Sequence, residues 1–313
     1  MQLLKDALEL ALQREFYAHE YQAGQVLAYL VFFRSSRDLV RARELALQAL
    51  EIDDREHFLP GEAGSVAWLS YLDWLKGDWS AAFDEVERAL EMAQRLGFTN
   101  YPILLGEVSR GLIRLSMGDS DEAEKYLENS NVKQSPLVLH VVSFNLALRK
   151  VRLEQGREDE ARACFETCVD KFKTNEFNPL SPHQIEALLH LTAIYAKHGQ
   201  LGEARRMSEW AKRLAETLKG DAGLAMASQA EAAFLLASGD QKGAEEAYLK
   251  SLDLWEKAGW PYYHAKALIA YSEALAQKNP EESRKRLEEA AEIFQKLGAK
   301  RDIERTQAKL SAG

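Results

Sequence analysis

Cysteine is nearly missing from this sequence: two residues in 313 cannot build a disulfide framework, so a reducing compartment and a cytoplasmic location are expected. Proline is scarce too, at seven, while 46% of the residues are apolar, a balance that excludes a disordered chain. No uncharged apolar run of 18 residues occurs, and the opening MQLLKDALEL carries charges where a secretory leader needs an apolar core. Positive charge is in deficit, with Lys+Arg 40 against Asp+Glu 49. That excess of acid argues against direct nucleic-acid or membrane partners, although a local basic patch remains open. Enzyme signatures are missing as well. There is no GxxxxGK[ST], no GxGxxG after a strand, no HExxH and no GxSxG, and no helix-turn-helix reader is recognisable. The sequence therefore implies neither a catalytic residue nor a cofactor or metal.

What is present is a period. Short turns recur at Gly77, Gly118, Gly156, Gly199 and Gly239, with Arg37 and Asn279 in the same slot of two degenerate copies, at intervals of 40, 41, 38, 43, 40 and 40. Five residues past the first six turns stand Ala42, Ala82, Ala123, Ala161, Ala204 and Ala244; the seventh copy has Arg284 there and Ser283 one place early. Twelve past stand Ala49, Ala89, Ser130, Cys168, Ala211, Ser251 and Ala291. Small residues at helical spacing let a neighbouring helix approach to about 8–10 Å. Between these columns, at the eighth or ninth place, come Leu45, Val86, Leu127, Phe165, Met207, Tyr248 and Leu287, which complete an apolar face.

Each copy reads as two helices, about 16 residues before the turn and about 18 after it. Pro60, Pro102, Pro136, Pro182 and Pro261 mark first-helix starts, and Asn279-Pro280 opens a second helix, with Ser181-Pro182 as the same device. Gly97, Gly220, Gly259 and Gly298 fall where second helices should end. No alternating strand pattern of useful length appears. The expectation is an all-α chain forming one superhelical domain. A half repeat over 1–16, seven helix pairs over 22–298 and a capping helix over 299–313 give roughly sixteen helices. Because the amino end starts inside a repeat, a fragment of a longer polypeptide is expected.

These residues resemble the tetratricopeptide repeat: a small residue in the first helix (Gly111), an aromatic four before the turn (Tyr195), then small, large and small in the second helix. The period of about 40 exceeds the standard 34, and the proline usual after the second helix is lacking. That longer form is similar to the C-terminal repeat region of maltose-regulator-like signal-transduction ATPases of the STAND class. The resemblance implies a right-handed α-solenoid of about seven repeats whose first helices line a concave groove. It further implies a non-catalytic sensor module that receives a small-molecule inducer, a peptide or a partner protein there, with a nucleotide-binding module upstream in the same polypeptide. The alternative is a free-standing scaffold that holds a peptide or partner protein in the groove.

Candidate contact residues are few. Arg110 and Arg114 lie on one first helix and Arg149, Lys150 and Arg152 on the next, where they could form a basic wall for a carboxylate or phosphate, or instead pair with Glu107 and Glu154. Trp68, Tyr71 and Trp74 form a broad stripe that either packs into the core or offers a stacking surface beside Arg34. Segments that join repeats, such as AGWPYYH, could add contacts. His190 could share a helix face with His183, or be a satisfied core histidine. Cys164 and Cys168 are four apart but occupy packing columns, and two further metal ligands are lacking, so they read as small buried hydrophobes.

Overall fold

The computed structural model describes residues 38–97, 101–134, 138–174 and 182–312, and every regular element among them is helical. The helices are α1 (Leu39–Arg55), α2 (Leu59–Lys76), α3 (Trp79–Leu96), α4 (Tyr101–Ser116), α5 (Ser120–Glu128), α6 (Val138–Glu154) and α7 (Glu158–Thr174). They continue as α8 (Pro182–Lys197), α9 (Leu201–Leu218), α10 (Asp221–Ala237), α11 (Gln241–Ala258), α12 (Pro261–Leu275), α13 (Pro280–Leu297) and α14 (Lys300–Ala312). Fourteen α-helices thus fall among the described residues, with a 3-10 turn at Asn131–Gln134. The half repeat expected over 1–16, the Arg37 turn, Arg34, Pro136 and Ser181 lie outside the described residues.

The turns explain the pairing. All five anchor glycines hold a left-handed backbone, with φ between 70° and 100°, and the following helix begins two residues later. A side chain there would clash with the backbone, which is why glycine recurs. Helix starts carry their own signals. Asp38, Asp240 and Asn279 each accept a hydrogen bond from the backbone N–H three residues on, and Pro182, Pro261 and Pro280 occupy first helical positions.

The columns point inward. Every alanine of the first column and every small residue of the second is buried, as are Leu45, Val86, Leu127, Phe165, Met207, Tyr248 and Leu287. Arg284, which breaks the first column, is exposed, while its neighbour Ser283 takes the buried place. Trp68, Tyr71 and Trp74 are buried with their rings in mutual contact, so the stripe on α2 is core.

Two details differ from the sequence reading. Helix α5 spans nine residues rather than about 18, because Ser130 competes for the backbone: its hydroxyl accepts the N–H of Val132 and donates to Glu107. At the end of α9 the left-handed residue is Lys219 (φ 55°), in the slot that Gly97 and Gly259 fill elsewhere, whereas Gly220 has φ −108° and opens α10.

The chain divides into two compact units, Met1–Arg114 with Asp121–Phe144 and Leu115–Ser120 with Asn145–Gly313. In the first, Ala63, Val66 and Ala67 of α2 pack against Ala89 and Ala93 of α3 and Ile103 of α4. In the second, α8 packs on α9 and α10, α10 on α11, and α12 on α13; α14 closes on α13.

Candidate functional site

Seven residues before each turn runs a third column, at the contact between the two helices of a pair. Five repeats place Ser70, Gly111, Thr192, Ala232 and Ser272 there, all buried. The requirement is steric: a Cβ on Gly111 would lie 2.8 Å from Leu127, and the Ser70 hydroxyl donates to the Ala82 carbonyl at 2.7 Å. In α6 the same place holds Arg149, a far larger side chain with 0% exposure.

Arg149 lies flat on Phe165, its Cζ 3.5 Å from the ring centroid. Its Nη2 reaches Glu186 Oε1 at 3.9 Å, and none of its three nitrogens has a hydrogen-bond partner among the described residues. Glu186 Oε1 is already taken. Lys150 Nζ approaches it to 2.7 Å and the Tyr263 hydroxyl donates to it at 3.4 Å, while His183 Nδ1 stands 3.9 Å from Oε2. Lys150 also donates to the Tyr263 oxygen at 2.7 Å. Beside this group, Lys266 pairs with Asp302 at 3.0 Å and with Glu154 at 3.7 Å; Tyr262 donates to Asp302, and Arg305 pairs with Glu154. Side chains of α6, α8, α12 and α14 therefore meet within the second unit, although Lys150 and Tyr263 are 113 residues apart.

Burial and charge set the protonation states. Burial lowers Arg149 to about 10, with Glu186 opposing, and lowers Lys150 against the same carboxylate. Arg149 stays cationic at neutral pH. Burial would raise Glu186, but Lys150, His183 and Arg149 overcome it and hold the carboxyl well below its usual range. Burial, then the Arg149 charge, pushes His190 down to about 3, so the imidazole is neutral. Lys266 is raised: burial lowers it, but Tyr262, Asp302 and Glu154 prevail.

The residues singled out in the sequence scatter over this frame. Arg110 and Arg114 lie in the first unit, where Arg110 covers the Tyr126 ring at 4.1 Å and faces Glu87 at 3.5 Å. Arg114 covers Phe83 at 3.9 Å and pairs with Glu122 at 3.2 Å. Arg152, in the second unit, donates to Cys164 Sγ at 3.0 Å and faces Glu160 at 3.6 Å. Their acidic partners are thus Glu87, Glu122 and Glu160; Glu107 holds Ser130, and Glu154 serves Lys266 and Arg305. Arg149 and His190 do meet, through Phe165, whose ring lies 5.2 Å from the imidazole. In the AGWPYYH segment Trp260 is buried, and Tyr263 is the residue that reaches the cluster. Glu186, Lys266 and Asp302 were missed. Their signal was weak, but an arginine in a column of small residues was readable.

No group of three or more His, Cys, Asp or Glu suited to a metal ion occurs among the described residues, and none of their helices is long and apolar enough to cross a membrane. No family model matches the chain, and no curated protein matches it by sequence. Solved structures do. A Rap protein complexed with competence and sporulation factor superposes with a TM-score of 0.68 at 15% identity, over 99% of this chain and 85% of its own. A STAND protein with a tetratricopeptide repeat sensor from Pyrococcus horikoshii superposes with a TM-score of 0.58 at 11% identity, over 97% of this chain and 51% of its own. This chain spans about half the length of that second protein. The fold is a tetratricopeptide-like all-α repeat, and one structural neighbour is of the STAND class that the sequence resembles.

Proposed function

We propose that this chain is a non-catalytic recognition module that takes a peptide or a segment of a partner protein against the polar cluster of its second unit. The carrying observation is Arg149: a fully buried guanidinium without a hydrogen-bond partner among the described residues, in a column where the other described repeats hold small residues. Core packing alone would favour a small side chain, and a buried charge left without hydrogen bonds is costly. The groups beside it suit binding better than turnover. Cys168 is pushed up to about 12 by burial and His190 down to about 3, so neither is poised for proton transfer or nucleophilic attack near neutrality. Neither cysteine forms a disulfide and both are buried, which supports the cytoplasmic reading. Likewise, the Rap structure is described in complex with a factor, so a protein of this fold has been captured with a partner.

The finer reading is a sensor region of a STAND-type signalling ATPase, supported by the second neighbour. In that role the ligand shifts the protein between restrained and released states by its difference in affinity for the two, and by no more. The 85% coverage of the Rap protein favours the alternative, a free-standing receptor. A thermal-shift screen of short peptides, sugars and metabolites tests the module. A saturable rise in melting temperature with a peptide supports it, because ligand binding stabilises by mass action; a response confined to sugars or metabolites rejects the peptide assignment. The genomic reading frame upstream of Met1 separates the finer readings. An in-frame nucleotide-binding module supports the sensor, and an immediate stop codon supports the free-standing receptor.

A further inference from the structure

Helix α14 is fastened unlike the helix before it. Helix α13 buries Ser283, Leu287, Ala290, Ala291 and Phe294, whereas from Lys300 to Ser311 only Thr306 is buried, with Ile303 and Leu310 half-buried. A cleft of about 470 Å³ opens among Lys309, Leu310, Ser272 and Leu287, so the last turn of α14 does not fill the space on α12 and α13. Polar contacts hold it instead. Arg301, Arg305 and Lys309, spaced by four, form one stripe. Arg301 donates to the Ser120 hydroxyl at 2.8 Å, Arg305 pairs with Glu154, and Lys309 pairs with Glu273 at 2.6 Å. Beside the stripe, Asp302 meets Lys266 at 3.0 Å and the Tyr262 hydroxyl at 3.1 Å. The stripe thus runs from the turn after α4, over the end of α6, to α12, all within the second unit. Arg305, Lys309 and Glu273 keep 47%, 44% and 56% of their side chains exposed, and ion pairs so open to water contribute little. The chain enters α14 through Gly298, whose φ of 70° leaves open space where a Cβ would stand.

Resting on the reading that a partner segment is taken beside this cluster, we infer that α14 is an internal occupant of that place, a strap displaced by a partner helix with Arg or Lys at three positions spaced by four. The face under the strap presents the carboxylates of Glu154 and Glu273, while α14 itself carries four cations against two anions. Charge therefore selects a basic helix, and Lys266 offers a place for one acidic residue next to the first cation. The face outlasts the departure of α14, because the Lys150–Tyr263 bond joins α6 to α12 without it. A partner with a bulkier apolar residue in the place of Leu310 also fills the cleft, which gives it an advantage over the strap. Strap and partner compete for the same acceptors, so the partner's apparent affinity falls with the fraction of molecules whose face is open.

The test follows amide hydrogen exchange in the full chain, with a synthetic peptide of the α14 sequence as probe. In wild type α14 should open about tenfold more often than α13, and raising salt from about 0.05 M to about 0.5 M should widen that gap, because its fastenings are screened. Arg305→Glu sets like charges together at Glu154; it should release α14 and tighten binding of the probe about tenfold, read by fluorescence anisotropy. Replacing the three stripe cations of the probe by Gln should abolish its binding. Protection of α14 equal to that of α13, a probe that binds Arg305→Glu no tighter than wild type, or indifference to the Gln replacement would each overturn the strap. Exchange in α8 to α11 reports whether the variant is folded. Should it not be, Lys309→Glu at the more exposed Glu273 takes its place, with the same expected direction. If a peptide from the screen binds while α14 keeps its protection, the strap fails and the recognition module stands. If the probe replaces the strap but no peptide of the screen binds, the strap stands and the module reading fails.

Discussion

The two units fill the same packing column alike except at one place. Seven residues before the turn, the first unit has Ser70 and Gly111, and Arg110 and Arg114 lie elsewhere, each laid on an aromatic ring and facing a carboxylate with partial exposure. The second unit puts Arg149 into the interface itself, with no exposure and no hydrogen bond among the described residues. The same residue type is a surface fastening in one and a desolvated charge in the other. Position in the repeat, more than composition, decides what an arginine does.

The contrast breaks hardest at the counter-charge. Glu186→Gln removes the anion facing two buried cations and should cost about 3–5 kcal/mol, whereas Glu122→Gln, which deprives a partly exposed Arg114, should cost under about 1 kcal/mol. Urea unfolding of both variants measures the gap, and equal losses would contradict the difference described between the units. Gly111→Val tests the small column from the other side. Its Cβ would meet Leu127 at 2.8 Å, so a loss of about 2 kcal/mol is expected by the same assay.

Acid should separate the units further. In the first, burial raises Asp53 to about 6, against the Ser65 hydrogen bond, and burial with the Asp73 charge raises Glu85 to about 7. A raised carboxyl favours the folded state when protonated, so this contribution grows as pH falls through 7 and 6 toward the unfolded values of 3.8 and 4.5. In the second unit His190 is lowered from 6.5 to about 3, so stability present above 6.5 is lost on acidification toward 3, and the depressed Glu186 adds a loss below its unfolded value of 4.5. Between pH 8 and 5, hydrogen exchange should therefore show the first unit gaining and the second losing about 1 kcal/mol each, after allowance for solvent screening. Parallel changes in both would count against these assignments. The smallest effect is expected at Lys219, which holds φ 55° where Gly97 serves the first unit. Lys219→Gly should stabilise by about 1 kcal/mol, read as a rise in melting temperature.

Nearest-neighbour packing was legible in the sequence, because small and bulky columns record which faces touch. The buried alanines, the glycine turns and the capped start at Asn279 all follow from residue type at fixed spacing. Two local features escaped for local reasons: Ser130 stops a helix that its columns would continue, and Lys219 tolerates a backbone that glycine usually takes. The cluster escaped for a different reason. Lys150 meets Tyr263 across three repeats, and a repeat pattern records each pair's immediate neighbours, not how the first helices of distant pairs converge. Arg149 itself was visible as a misfit among Ser70, Gly111, Thr192, Ala232 and Ser272, but its neighbour Glu186 was not.

The bonds from α6 to α12 and α14 also bear on how this chain can be trimmed. A row of hairpins that touch only in sequence order can be shortened from its end, one pair at a time, with a graded loss of stability. Here, removing residues after Gly259 takes away Tyr263, Lys266, Asp302 and Arg305 together, and strands Glu154 and Lys150 far from the cut. The carboxyl-terminal hairpins thus act as a keystone for α6, and truncation there should unravel the second unit in one step instead of peeling it.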